Sequence, residues 1–394
     1  MQYPERFSDL PPYAFPRLRA LLDAHAPGAE PMSMSIGEPR HPAPDWIGSV
    51  ISAAAAEFGQ YPPNDGAPEL LAAVADWVDR RYGLRLPEDQ FMALNGTREG
   101  LYNAAMALAP ETKRGQRPVM LLPNPFYQVY AVAALSVGAE PVLVPATVAS
   151  GFLPDYAALP AEVLDRATVA WICSPSNPQG AVADEAYWSA LIALAEAHDF
   201  RIFADECYAE IYRGTPPPGI LAASRTAGAD PERVVAFHSL SKRSSVPGLR
   251  SGFVASGPQN MARIRRLRAY SGAPLPLPLQ RAATLLWRDE AHVEENRRLY
   301  AEKFALADRI FAGVPGVTTP PAGFFLWLPV PDGEAAALTL WRAAGIRVLP
   351  GAYLGREVDG VNPGQGYIRV ALVAPPDETE RGLTAIRQTL YDRI

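Results

Sequence analysis

Cysteine is scarce in this chain: two in 394 residues, Cys173 and Cys207, each inside an apolar run. That excludes a disulfide scaffold and suits buried free thiols in a reducing compartment. The histidines at 25, 41, 198 and 292 have neither the paired spacing of a zinc site nor that of a catalytic triad, so no metal is expected. Apolar runs stop well short of the roughly 20 residues that span a bilayer, which excludes a membrane span. The start, MQYPERFSDL, has no signal-peptide core, and a cytoplasmic protein is expected. Positive charge is also not in surplus. Lys and Arg number 36 against 42 Asp and Glu, a net charge of -6, which offers nucleic acid no footprint. The basic cluster Arg263, Arg265, Arg266 and Arg268 lies on a helical stretch and reads as a solvated face. No internal repeat is present.

Proline is abundant instead, 41 residues scattered through loops, which predicts long shaped connections rather than a disordered tract. The length suffices for two domains, each with its own core. Residues 1–45 read as a proline-rich arm with a helix near Phe15–His25, and Gly37 stands in SIGEPRHPAP where close backbone approach is expected. Residues 46–280 carry an α/β rhythm. A helix over Asp45–Phe58 and another from Pro68 to Gly83 precede FMAL, VMLLPN, TVAWIC, RIFAD and RVVAF, five apolar runs separated by helical patterns. Such runs predict a mainly parallel sheet covered on both faces, with ligands at the strands' C-terminal ends. Residues 281–394 read as a smaller α+β domain that contains one long helical region over Leu279–Gly313.

Polar residues do appear at those strand ends. FHSLSKRSSVPGLRSGF, Phe237–Phe253, places one lysine, Lys242, between serines after a strand, with His238 alternating away from Ser239. Ser239 offers a hydroxyl and Arg250 a forked donor, which together can clamp a phosphate around an amine nucleophile. That combination points to pyridoxal phosphate carried on Lys242. The cofactor's remaining needs have candidates. Asp205 can hold the ring nitrogen, with neighbouring Glu206 pointing away. Tyr208 and Asn177 can donate to the ring oxygen, and Tyr127 can stack on the ring. Gly96, Thr97 and Arg98 open a helix whose free amides face the phosphate. Singly, each has an ordinary alternative: a lysine loop facing water, an acidic loop pair, core tyrosines, an Asn-Pro turn. Their order, each ending a strand, is what favours a cofactor site.

SLSKRSSVPGLRSG, Ser239–Gly252, resembles the S-x-S-K-x(n)-G-x-R-x-G signature of class I/II pyridoxal-phosphate-dependent aminotransferases, of fold type I, and the resemblance runs along nearly the whole chain. It implies a large domain built on a seven-stranded, mainly parallel sheet, with a smaller α+β domain. By resemblance, Lys242 is the Schiff-base lysine, Ser239 and Arg250 bind phosphate, and Asp205, Tyr208, Asn177 and Tyr127 hold the ring. Arg369, in YIRVAL, is similar to the arginine that grips the substrate α-carboxylate, helped by Asn177 and the Gly37 backbone. Tyr61, in QYPPNDG, matches a tyrosine that reaches the phosphate of a second subunit, which implies a homodimer with shared sites. SIGEPRHPAP, NGTREG, DECYAEIY and VNPGQGYIRVALVAP further resemble the bacterial succinyldiaminopimelate transaminase subgroup, implying amino transfer between N-succinyl-LL-2,6-diaminoheptanedioate and 2-oxoglutarate in lysine biosynthesis. Ser271 departs from that subgroup's pattern at a position expected near the site entrance. Another aminotransferase of the family, a C–S lyase and a noncatalytic regulator stay open as alternatives.

Overall fold

The computed structural model describes residues 3–392, and the strands and sheets below are those of the described residues. Twelve strands run in chain order: β1 (Met32–Ser33), β2 (Phe91–Leu94), β3 (Val119–Asn124), β4 (Glu140–Pro145), β5 (Ala167–Cys173), β6 (Arg201–Asp205), β7 (Val234–Ser239), β8 (Gly252–Ser256), β9 (Phe325–Pro329), β10 (Ile346–Arg347), β11 (Leu349–Pro350) and β12 (Tyr367–Ala371). Seven form one sheet in the order β2-β8-β7-β6-β5-β3-β4. All pairings within it are parallel except the two made by β8. The reversal lets the start of β8 lie beside the ends of β2 and β7, with Ser239 opposite Gly252.

The apolar runs become strands because both faces of the sheet are covered. Every residue of β2, β3, β5, β7 and β8 is buried. In β6, Ile202 and Ala204 join the layer of Trp77, Trp188 and Trp287, while Phe203 joins the opposite layer of Tyr130, Trp171 and Met261. That alternation is the two-residue period of a strand clad on both sides. The helix Glu185–His198 starts where Asp184 accepts a hydrogen bond from the Tyr187 amide at 2.8 Å. The helix Pro68–Tyr82 ends at Gly83 with φ +66°, a left-handed cap that glycine adopts without strain.

A second sheet, β11-β12-β9, is antiparallel and packs against the helices Ala291–Ile310, Gly333–Ala344 and Pro376–Leu390. The arm is tied to this part of the chain. β1 pairs in parallel with β10, and the Ala371 amide donates to Met34 O at 2.7 Å. These bonds carry Ser35–Gly37 past Arg369 to the end of the large sheet.

Three expectations are corrected. The helical region of 279–313 is two helices, Leu277–Arg288 and Ala291–Ile310, broken at Asp289 and Glu290. The first packs Ala282, Ala283, Leu286 and Trp287 into the large sheet's core. The stretch 45–58 is a short α-helix, Ile47–Ala53, followed by a 3-10 turn, Ala55–Gly59. The basic cluster is only partly a solvated face. Arg268 is 1% exposed: it pairs with Glu99 at 2.5 Å and donates to Asn64 O at 2.8 Å.

Glu99 also accepts from the Asn95 amide at 3.2 Å and from Asn103 at 3.2 Å, so the Arg268 pair braces the turn around Gly96. Removing one member of a buried pair leaves the other charge uncompensated. Arg268→Ala is therefore expected to cost about 3 kcal/mol of stability, read from urea unfolding. An unchanged midpoint would show that the pair carries no stability.

Candidate active site

Five strand ends and the start of β8 converge on one cavity of about 360 Å³. All the residues expected to bind cofactor or substrate line it except Gly96 and Tyr61. Gly96 lies directly behind. Its φ is +82°, and a Cβ there would come within 1.9 Å of the Arg250 guanidinium. Only glycine lets Arg250 lie against the start of the helix Thr97–Leu108, whose first amides lack intrahelical partners. Tyr61 is fully exposed and stands outside its own chain's cavity.

Lys242 follows β7 on a short helical turn, Leu240–Arg243, capped by Ser239. Its Nζ donates to Gly37 O at 2.5 Å and lies 5.3 Å from the centre of the Phe324 ring. Burial, assisted by Arg369 and Arg250, pulls the amine down to about 8, while Cys207 and Glu38 oppose the shift. The Ser239 hydroxyl accepts from the Ser241 amide at 3.1 Å and donates to Ser251 O at 3.4 Å. It thus holds the turn as well as lining the cavity.

Asp205 ends β6, only 6% exposed, between the Tyr130 hydroxyl (2.7 Å to Oδ2) and the Cys207 amide (3.4 Å to Oδ1). Burial pushes its carboxyl up, and the bonds from Cys207 and Tyr130 pull it back. No salt bridge to lysine or arginine offsets this carboxylate among the described residues. Glu206 points the other way, as expected: it accepts from Tyr82 at 3.2 Å and the Ile220 amide at 2.7 Å, 3.1 Å from His238 Nε2.

Arg369 is the complementary case. It is 4% exposed, donates to Asn177 Oδ1 at 2.9 Å and Ser35 O at 2.7 Å, and leaves its Nε unpartnered. The Phe325 ring centre lies 4.2 Å from its Cζ, and burial draws the group down to about 10. Tyr208 packs edge-on against Phe324 and Phe325. Tyr127 accepts from Arg98 Nε at 2.6 Å at the cavity wall.

Sequence reasoning missed Ser241, which lines the cavity, and Tyr130, which orients Asp205. The two tyrosines three residues apart in PNPFYQVY were a signal for the second, since one helical turn places them side by side. Cys173 and Cys207, read only as buried thiols, both line the cavity, and Cys207 Sγ lies 3.1 Å from Thr97 Oγ1. Ser271 is not at the entrance. It donates to Asn103 Oδ1 at 2.8 Å, outside the cavity.

A cavity with an amine of lowered basicity, a buried carboxylate lacking a cation and a buried guanidinium lacking an anion defines an enzyme for a small anionic substrate and a cofactor with a cationic ring. The chain belongs to the family Aminotransferase class I and II, which matches residues 29–386. A solved aminotransferase from Neisseria meningitidis is 39% identical, covering 98% of this chain and 99% of its own, with a TM-score of 0.93. Aminotransferase AspB from Helicobacter pylori is 35% identical over 98% and 99%, with a TM-score of 0.89. An LL-diaminopimelate aminotransferase from Dehalococcoides mccartyi is 32% identical over 98% of both chains. The protein is thus a fold-type I, pyridoxal-phosphate-dependent aminotransferase.

The residues fit that cofactor. Asp205 lacks a cation that a protonated ring nitrogen would supply, and the glycine at 96 admits Arg250 beside helix amides that would together suit a phosphate. Because Lys242 sheds its proton near 8, the reactive neutral amine grows with pH up to that point. Attachment of pyridoxal phosphate to the apoprotein, followed by stopped-flow absorbance, is expected to speed up about tenfold from pH 6 to 7 and to level off above about 8. A flat profile across that range would contradict a lysine of lowered basicity.

Proposed function

We propose that the enzyme exchanges the amino group of N-succinyl-LL-2,6-diaminoheptanedioate with 2-oxoglutarate, as a homodimer. The observation that carries amino-acid chemistry is Arg369, a buried guanidinium with an unpartnered Nε, sharing the cavity with Lys242. A planar fork of this kind suits the α-carboxylate of an amino acid. The diaminoheptanedioate substrate class is supported by the LL-diaminopimelate aminotransferases among the relatives. A solved probable N-succinyldiaminopimelate aminotransferase from Thermus thermophilus, 26% identical with a TM-score of 0.84, supports the succinylated form. The free diamine is the second reading, favoured by the curated relatives at 30–33% identity.

Lys242, Asp205, Arg250, Ser239 and the amides after Gly96 would hold the cofactor, with Tyr127 over its ring and Tyr208 and Asn177 at its ring oxygen. When bound, pyridoxal phosphate supplies an electron-withdrawing ring that stabilises charge at the substrate Cα. Arg369, braced by Asn177 and Ser35, orients the α-carboxylate so that one Cα–H faces Lys242, a positioning contribution. Lys242 Nζ, neutral above about 8, accepts the Cα proton and later returns it. Asp205, fixed by Tyr130, keeps a negative charge where the ring nitrogen lies. Tyr61, exposed on its own chain, serves the phosphate of the second subunit in this scheme.

Borohydride reduction of the holoenzyme is expected to fix the cofactor on Lys242, and Lys242→Ala to lose at least a thousandfold in turnover. An adduct on another residue removes the basis of the scheme. With 2-oxoglutarate as acceptor, glutamate formation from the N-succinyl diamine is expected to exceed that from the free diamine and from N-acetylornithine. Preference for the free diamine establishes the second reading, and preference for N-acetylornithine overturns both. Light scattering is expected to give twice the chain mass, whereas a monomer would sink the shared site.

A further inference from the structure

Behind the Lys242 turn lies a buried polar cluster that the scheme above does not use. Asn296, on the helix Ala291–Ile310, donates both amide hydrogens to the turn: Nδ2 is 3.2 Å from Lys242 O and 3.2 Å from Arg243 O. This fixes the orientation of the amide, so its Oδ1 must accept. It receives the Ser245 hydroxyl at 3.1 Å and His41 Nδ1 at 2.6 Å. His41 Nδ1 therefore carries hydrogen, and Nε2 of the neutral ring is left as an acceptor. Lys303 Nζ, two turns further along the same helix, occupies that position at 2.6 Å.

Lys303 is 0% exposed and forms no salt bridge to a carboxylate among the described residues. A lysine is rarely buried in this way without a partner. The charged groups facing it are Arg40, itself paired with Glu378, and Glu302. Glu295 and Glu302 face His41. Two bases at hydrogen-bond distance share at most one excess proton, so the pair carries no more than a single positive charge. Aromatic rings link the cluster to the cavity. Lys303 Nζ lies 5.0 Å from the centre of the Tyr300 ring, Tyr300 stacks on Phe324 at 5.5 Å, and Phe324 lies under Lys242 Nζ.

We infer that Asn296, His41 and Lys303 form a positioning relay that holds the backbone of the Lys242 turn, and with it the lysine's amine, at the height the chemistry needs. The inference rests on Lys242 being the cofactor's lysine. Asn296 acts directly on the turn's carbonyl oxygens, His41 locks the amide's orientation, and Lys303 locks the ring's tautomer. None of the three lines the cavity, so each acts through Lys242.

The contribution to catalysis and the contribution to stability have opposite signs at Lys303. Burial lowers this lysine to about 7, below its unfolded value, so the folded state sheds the proton before the unfolded one does. Its cost to stability is full below about pH 7 and fades as pH rises toward the unfolded value near 10.5. Lys303→Met removes that buried cation. It is expected to raise Tm at pH 7, with the gain shrinking toward pH 10, yet to lower kcat about tenfold. Asn296→Ala, which releases both carbonyls, is expected to lower kcat 10- to 100-fold, with KM for the amino donor changed by no more than about twofold.

In both holoenzyme variants the pH midpoint of the cofactor's visible band is expected to move by at least about half a unit, and Lys303→Arg to restore most of the wild-type midpoint. A midpoint unmoved in both variants, or Tm and kcat falling in step in Lys303→Met, overturns the relay while leaving the assignment of Lys242 intact. Borohydride label absent from Lys242 in the wild type overturns the assignment itself, and the relay with it.

Discussion

The structure depends on keeping charges apart inside one cavity. Asp205 and Arg369 are both nearly buried, of opposite sign, and share a cavity wall, yet neither pairs with the other. Left alone, each would cost several kcal/mol. The fold meets that cost with neutral partners. Tyr130 and the Cys207 amide serve the carboxylate, while Asn177, Ser35 O and the Phe325 face serve the guanidinium. Neutral hydrogen bonds stabilise a charge without cancelling it, so both charges keep most of their attraction for a guest of opposite sign. The seven-stranded sheet, with its ends gathered at one edge, is what lets residues so far apart in sequence provide those partners.

Much of this was legible in the chain. Apolar runs that stop abruptly in a polar residue announced both the parallel sheet and its functional edge. Lys242, Asp205 and Asn177 could be singled out because each follows such a stop, and Arg250 because it stands just before the next apolar run. The supporting residues could not be named in the same way. Tyr130 looks like any core tyrosine until the helix Gln128–Ser136 aims it at Asp205. Arg268 looked solvated because helical periodicity says which face turns inward only when the partner surface is known, and Glu99 lies 169 residues away. Asn296, His41 and Lys303 belong to two segments brought together only by the packing of the arm on the helix after residue 290. Ser271 was misplaced for a related reason, since its helix faces Asn103 rather than the cavity.

The cavity's chemistry and its choice of substrate are set at different places. In the proposed scheme the α-amino and α-carboxylate groups common to every substrate would meet Lys242 and Arg369, the first bonded to Gly37 O and the second to Asn177 and Ser35 O. The rest of the cavity wall includes Tyr13, Phe15 and Ile36, all on the arm, where the proposed scheme would place the far end of a substrate. Relatives with different substrates can thus share the inner wall unchanged. That is why the family is plain from the sequence while the identity of the amino donor turns on a rim made of loop residues.

The reversed strand β8 has a cost in time. β2 lies at the edge of the large sheet, and β8 is its sole neighbour there. As the chain is made, Phe91–Leu94 must wait for Gly252–Ser256, roughly 160 residues later, before its backbone can pair. At ordinary synthesis rates that is on the order of ten seconds or more, during which a strand of four buried residues has no sheet to join. The strand that ends at the Gly96 turn is thus among the last to be secured. In the proposed scheme the phosphate cradle would close only when Arg250 arrives with the strand that completes the sheet, so an immature chain would not hold the cofactor there.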